Sequence, residues 1–247
     1  MNYDVLILPG ILFNMFRCVV TGKKDAPAVI LLHGWGASAA AFGPIAKALE
    51  NEYRVIAADM YGFGETPHPA RALTVDDYAD GVMETAKALN VETAVVLGHS
   101  FGGRVAVKTA VKYPALVRKL ILVDAAGLKP RGVVFKRLRS KIHKILKKYN
   151  DRGLKGSLDY EAASGYLKAT LVNVVNEYQE AEAAKIKCGA LILWGGRDRD
   201  TKAYMAYRYR RLIRGSELHV FKDAGHFSYL DRTAETIVLI KAYIGGE

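Results

Sequence analysis

The chain has 247 residues, 51% of them hydrophobic, and carries 36 Lys and Arg against 25 Asp and Glu, a formal charge of +11 at pH 7. That length suits one large α/β domain with a sizeable core and leaves little room for a second independent domain. No stretch is long and apolar enough to span a bilayer, and the N-terminus has Asp4, no basic leader and an apolar run broken at Pro9-Gly10, so a soluble cytoplasmic protein is expected.

In chain order, the first twenty residues read as two strands around Pro9-Gly10, an edge hairpin. From Val29 onward apolar runs alternate with helical patterns: a strand over 29–32, a helix over 39–49, a strand over 55–58 and a loop at Pro67 and Pro69. A helix over 75–89 closed by Asn90, a strand over 94–97, a helical stretch over 104–113 and a strand over 119–123 follow. Such alternation implies right-handed crossovers and a mostly parallel central sheet with helices on both faces. Cys18 falls in an early strand and Cys188 just before a late one, so both read as reduced core residues rather than a disulfide or catalytic pair.

The rhythm breaks after Asp124-Ala125-Ala126-Gly127, where about sixty residues precede the next strand at 190–194. This insert reads as a helical cap over 128–185, within a core made of 1–127 and 186–247. Val134, Phe135, Leu138, Ile142, Ile145, Leu146 and Tyr149 share one helical face, and the other face is basic. Between Lys129 and Lys155 there are eleven Lys or Arg and one acid, Asp151, so this segment holds +10 of the +11. Those cations are either a solvated outer face or a patch that draws an acidic substrate or rests on anionic lipid. Nucleic acid is not an expected partner, because the charge is confined to one helix and no binding fold accompanies it. The second half, 160–182, continues as helix with Tyr166, Leu167, Leu171, Val174, Val175 and Tyr178, which implies a mainly apolar pocket. A later helix carries Arg208, Arg210, Arg211 and Arg214, expected on a solvated outer face.

Chemistry concentrates at strand ends. Gly98-His99-Ser100-Phe101-Gly102 joins a strand to a helix through small residues, the setting a nucleophile elbow requires. A serine there is forced into a strained backbone, and glycines two positions away on each side let strand and helix approach. Serine needs a general base, and the base needs an acid to orient it. His226, in Asp223-Ala224-Gly225-His226-Phe227, follows the strand over 218–221, and Asp198 follows Leu191-Ile192-Leu193-Trp194-Gly195-Gly196-Arg197. His33, His68, His99, His143 and His219 suit the base role less well; Asp124 and Asp200 stand as alternative acids, and Asp59 reads as ordering a loop.

Taken together, His33-Gly34-Trp35-Gly36, Asp59-Met60-Tyr61-Gly62-Phe63-Gly64, the elbow, the Asp198 loop and Gly225-His226 resemble the α/β-hydrolase family over nearly the whole chain, and in particular its single-domain serine hydrolases with a modest cap. The resemblance implies a Ser100, Asp198, His226 triad with the backbone N–H groups of Trp35 and Phe101 as oxyanion donors. Trp35, Phe101 and Phe227 would wall the acyl pocket. It implies a carboxylic-ester hydrolase for a small to medium acyl substrate, working through an acyl-enzyme with no metal or organic cofactor. Carbon–carbon bond or lactone hydrolysis, acyl transfer to another alcohol and a non-catalytic ligand-binding module stand as alternatives.

Overall fold

Seven short runs of aliphatic and β-branched residues pair into one sheet in the computed structural model, which describes residues 15–131 and 158–246. The strands are β1 (Arg17–Thr21), β2 (Ala28–Leu32), β3 (Arg54–Asp59), β4 (Ala94–His99), β5 (Val117–Val123), β6 (Gly189–Gly195) and β7 (Glu217–Phe221), in spatial order β1-β3-β2-β4-β5-β6-β7. Only β1 runs antiparallel to its neighbour, from Arg17 opposite Asp59 to Thr21 opposite Val55; the remaining pairs are parallel. The central strands β2, β3 and β4 are buried along their whole length, as a sheet covered on both faces requires. The expected hairpin partner of β1 lies within residues 1–14, outside the described residues.

Alternate residues of β4 feed two separate cores. Val96 joins the side covered by α2 (Val75–Ala88), α3 (Phe101–Lys112) and the later helix Tyr204–Leu212, whereas Val95 and Leu97 join the side covered by α1 (Gly43–Leu49) and the final helix Thr233–Gly245. α2 starts at a reciprocal cap in which Thr74 Oγ1 accepts the Asp77 N–H and Asp77 Oδ2 accepts the Thr74 N–H at 2.7 Å. It ends where Asn90 turns to φ +54°, as its terminal asparagine suggests.

The winding reverses between β2 and β4, since β3 lies on one side of β2 and β4 on the other. The carboxyl ends of these two strands therefore diverge into a crevice, the place where ligands sit in open parallel sheets. The insert lies beside it. Its described part forms α4 (Leu158–Asn176) and a short α5 (Glu180–Ala183). The expected single helix over 160–182 is thus broken, because the buried Arg104 side chain donates to the carbonyls of Val175 and Glu177, while Gln179 turns inward to donate to Arg104 O at 3.0 Å. At its other contact, Thr170 Oγ1 accepts the Leu73 N–H at 2.8 Å. The apolar face and basic stretch expected from residue 132 onward fall outside the described residues.

α6 (Tyr204–Leu212) corrects one expectation. Arg210, Arg211 and Arg214 are exposed, but Arg208 faces inward and donates to Lys129 O at 2.6 Å and Glu180 Oε1 at 2.8 Å. One turn of α6 packs against the start of the insert, so one of the four arginines meets a carboxylate instead of water. The cysteines are free, as expected; burial pushes the Cys18 thiol up to about 12. Among the described residues no helix is long and apolar enough to cross a membrane.

Candidate active site

Ser100 occupies the single residue between β4 and α3, at φ +51° and ψ −110°. A non-glycine residue adopts that conformation only where its surroundings force it. The force comes from close packing. A Cβ on Gly98 would stand 2.2 Å from Gly102 O, and one on Gly102 would stand 2.0 Å from Leu32 O, so only glycine lets strand and helix meet here. The helix begins at Phe101, three residues before the apolar pattern suggested, because the Gly102-Gly103 pair carries no periodic signal.

His226 reaches Ser100 from the loop after β7, with Nε2 2.9 Å from Ser100 Oγ. Its Nδ1 lies 2.8 Å from Asp198 Oδ2 on the loop after β6. A carboxylate at Nδ1 requires the ring proton there, which leaves Nε2 to accept the serine proton. Asp198 is buried and its other oxygen accepts the N–H groups of Asp200 and Thr201 at 2.7 and 3.0 Å. Thr201, which the sequence reading passed over, places Oγ1 2.7 Å from Asp198 Oδ2 and 3.3 Å from His226 Nδ1. The spacing Asp198-Arg199-Asp200-Thr201, a carboxylate followed three residues later by a hydroxyl, is the local turn pattern that could have revealed it.

The alternative acids fall elsewhere. Asp200 donates its N–H to Asp198, and the Asp124 carboxylate accepts from Gly195 and Ser228. His99 lies under the elbow and donates Nε2–H to His226 O at 2.8 Å; burial and the neighbouring His226 hold it neutral, down to about 3. His33 accepts the Met60 N–H at Nε2 and donates Nδ1–H to Gly34 O, so it too is neutral, its pKa lowered by burial. The two Asp59 oxygens accept from Ala39 and Glu65, which orders the loop after β2 as expected. His68 bridges Pro69 O and Thr170 Oγ1, and His219 sits within β7 beside Glu235; His143 lies outside the described residues.

A cavity of about 360 Å³ opens over Ser100 and His226. Trp35, Phe101, Leu171, Val174, Val175 and Met205 make it mainly apolar, with Phe227 half exposed at its rim. Trp35 stands edge-on to Phe101 and Phe63, at 5.2 and 4.9 Å between ring centres, which fixes the wall above the loop after β2. The Gly102 N–H donates to His33 O at 3.1 Å, so that loop and the elbow are tied together. As the first residue of α3, Phe101 presents its N–H at a helix N-terminus, where backbone donors lack intrahelical partners and the dipole favours negative charge. The chemistry available is that of a serine hydroxyl beside a carboxylate-oriented imidazole at the foot of an apolar pocket.

Known proteins share this framework. The sequence model of a family described as "Alpha/beta hydrolase family" matches residues 29–238. A pimeloyl-[acyl-carrier protein] methyl ester esterase of Neisseria meningitidis is 28% identical over 245 residues, spanning 88% of this chain and 93% of its own. A 2-hydroxymuconate semialdehyde hydrolase of Pseudomonas sp. is 25% identical over 243 residues, spanning 87% of this chain and 86% of its own. Among solved structures, a bacterial membrane phospholipase A superposes with a TM-score of 0.75 at 26% identity, covering 93% of this chain and 82% of that one.

Proposed function

Because the chain belongs to the alpha/beta hydrolase family, we propose that it is a serine hydrolase that cleaves carboxylic esters of small to medium, mainly apolar acids through an acyl-enzyme at Ser100. The observation that carries this reading is the unbroken relay from Asp198 through His226 to Ser100, with links of 2.8 and 2.9 Å, at a strained elbow under an apolar cavity. His226 Nε2 takes the Ser100 proton as Oγ attacks the acyl carbon, and the Trp35 and Phe101 N–H groups stabilise the resulting oxyanion. The imidazolium then protonates the leaving alcohol. Water, activated by the same nitrogen, attacks the acyl-enzyme and releases the acid. Asp198 holds the imidazole in its working tautomer and stabilises its charged form. The insert over 128–185 serves as the cap, with α4 supplying Leu171, Val174 and Val175 to the acyl pocket.

The likeness to the Neisseria methyl ester esterase supports ester cleavage. Carbon–carbon hydrolysis is the second reading, favoured by the likeness to the Pseudomonas semialdehyde hydrolase. A panel of p-nitrophenyl esters from acetate to palmitate, with 2-hydroxymuconate semialdehyde alongside, separates the two. The expected result is ester turnover that Ser100→Ala lowers by roughly 10⁴-fold or more. Turnover of the semialdehyde alone would move the assignment to the second reading, and ester turnover unchanged in Ser100→Ala would remove the mechanism.

A further inference from the structure

Asp124 directly follows β5 with its side chain fully buried, and its bonds run to the two loops that bring acid and base together. Its Oδ1 accepts the Gly195 N–H at 2.7 Å, three residues before Asp198, and its Oδ2 accepts the Ser228 N–H at 3.0 Å, two residues after His226. The Asp124 N–H donates to Leu193 O at 3.0 Å. Asp124 O lies 2.9 Å from Thr201 Oγ1, the hydroxyl that also stands against Asp198 Oδ2. The residue stands at φ +46°, in the left-handed region that aspartate and asparagine enter more readily than other non-glycine residues. Among the described residues no cation forms an ion pair with it, so nothing in its charge balance explains a carboxylate here.

What a carboxylate uniquely supplies is two acceptors at a fixed fork, one for each loop. An asparagine of the same shape would set an N–H₂ donor against one of the two N–H groups. We propose that Asp124 is a positioning residue whose ionised carboxylate clamps the Asp198 loop to the His226 loop and so sets the register of the relay. This rests on the serine-hydrolase reading above. Asp198 and Tyr229 are the titratable groups that face Asp124 from the packed loops, with His226 two residues from its Ser228 contact; none of them offers it a positive charge until His226 is protonated. Burial, with the Asp198 charge adding to it, pushes the Asp124 carboxyl up to about 7. Proton uptake near neutrality would turn one acceptor into a donor and open the clamp, so the acid limb of the activity should gain a dependence on Asp124 beside that of the relay's own base.

The test uses the full chain and p-nitrophenyl acetate between pH 5 and 9. In the wild type, log kcat/KM should fall more steeply than one unit per pH unit on the acid limb. Asp124→Asn should lose about 10- to 100-fold in kcat at pH 8.5 with KM within about threefold, and its acid limb should flatten to one unit. A wild-type limb of one unit overturns the proposal, and this reading needs no variant to fold. Full wild-type kcat in Asp124→Asn overturns it as well. The low-field proton resonance of His226 Nδ1–H reports the register without turnover: it should be lost or displaced in folded Asp124→Asn at pH 8.5, and an unchanged resonance overturns the clamp. If the wild type neither turns over esters nor takes a fluorophosphonate label, the hydrolase reading has failed and that resonance decides the positioning claim alone.

Discussion

The two walls of the cavity are built from different materials. On the sheet side, groups that would do chemistry are fixed by short polar bonds between loops: Gly102 N–H to His33 O, Ala126 N–H to Ser100 O, Gly196 N–H to Phe221 O and Arg197 N–H to Ala224 O, at 2.8 to 3.1 Å. On the insert side, α4 presents Leu171, Val174 and Val175, which carry no polar atoms, and is anchored away from them at Thr170 and through Arg104. Proton transfer tolerates errors of only a few tenths of an ångström, whereas an apolar acyl chain needs volume and little direction. The division lets pocket shape change without disturbing the relay, and changes on each wall should separate rate from selectivity.

The largest effect belongs to the sheet side. Asp198→Ala should lower kcat for p-nitrophenyl acetate by about 10⁴-fold while Ser100 still accepts a fluorophosphonate, more slowly. Unchanged turnover would pass the acid role to Asp124 or Asp200 and break the comparison. On the insert side, Leu171→Ala should do the reverse. It should shift the preferred acyl length upward by a few-fold in kcat/KM and leave the labelling rate of Ser100 within about threefold. Because Leu171 is 5% exposed, its truncation should also cost about 2–3 kcal/mol in urea unfolding.

The smallest effect is on stability against pH, where the sheet side carries two buried groups of opposite sign. The folded Asp124 titrates at about 7 against roughly 4 in an unfolded chain, so the folded state holds the additional proton between those values and stability falls as pH rises through them. His99 titrates at about 3 against roughly 6.5 unfolded, so there the unfolded state holds the additional proton and stability falls as pH drops from 6.5. The two oppose each other between pH 4 and 6.5. Thermal unfolding of Asp124→Asn should therefore drop by a few degrees on acidification across that window while the wild type stays nearly flat; parallel curves would show that Asp124 does not titrate there.

How much was legible follows the same division. Ser100, Asp198 and His226 could be placed from sequence because each sits where a run of apolar strand residues gives way to a small-residue loop, as at Leu97-Gly98 and Trp194-Gly195. Bonds between distant loops leave no such mark. Asp124 looked like a spare acid, and only the fold shows both its oxygens engaged by N–H groups 71 and 104 residues away. Arg208 looked like its solvated neighbours because periodicity cannot say what packs against one turn of a helix. The break at Glu177 was hidden for a similar reason: 160–182 is good helix by composition, and it ends where a buried arginine from α3 takes its carbonyls.

Fluorophosphonate labelling of the full chain, with the modified residue mapped by peptide mass, tests the central claim most directly. The account predicts one label, on Ser100, absent in Ser100→Ala and slowed strongly in His226→Ala. A label on another residue, or none on a folded chain that still turns over esters, would contradict it.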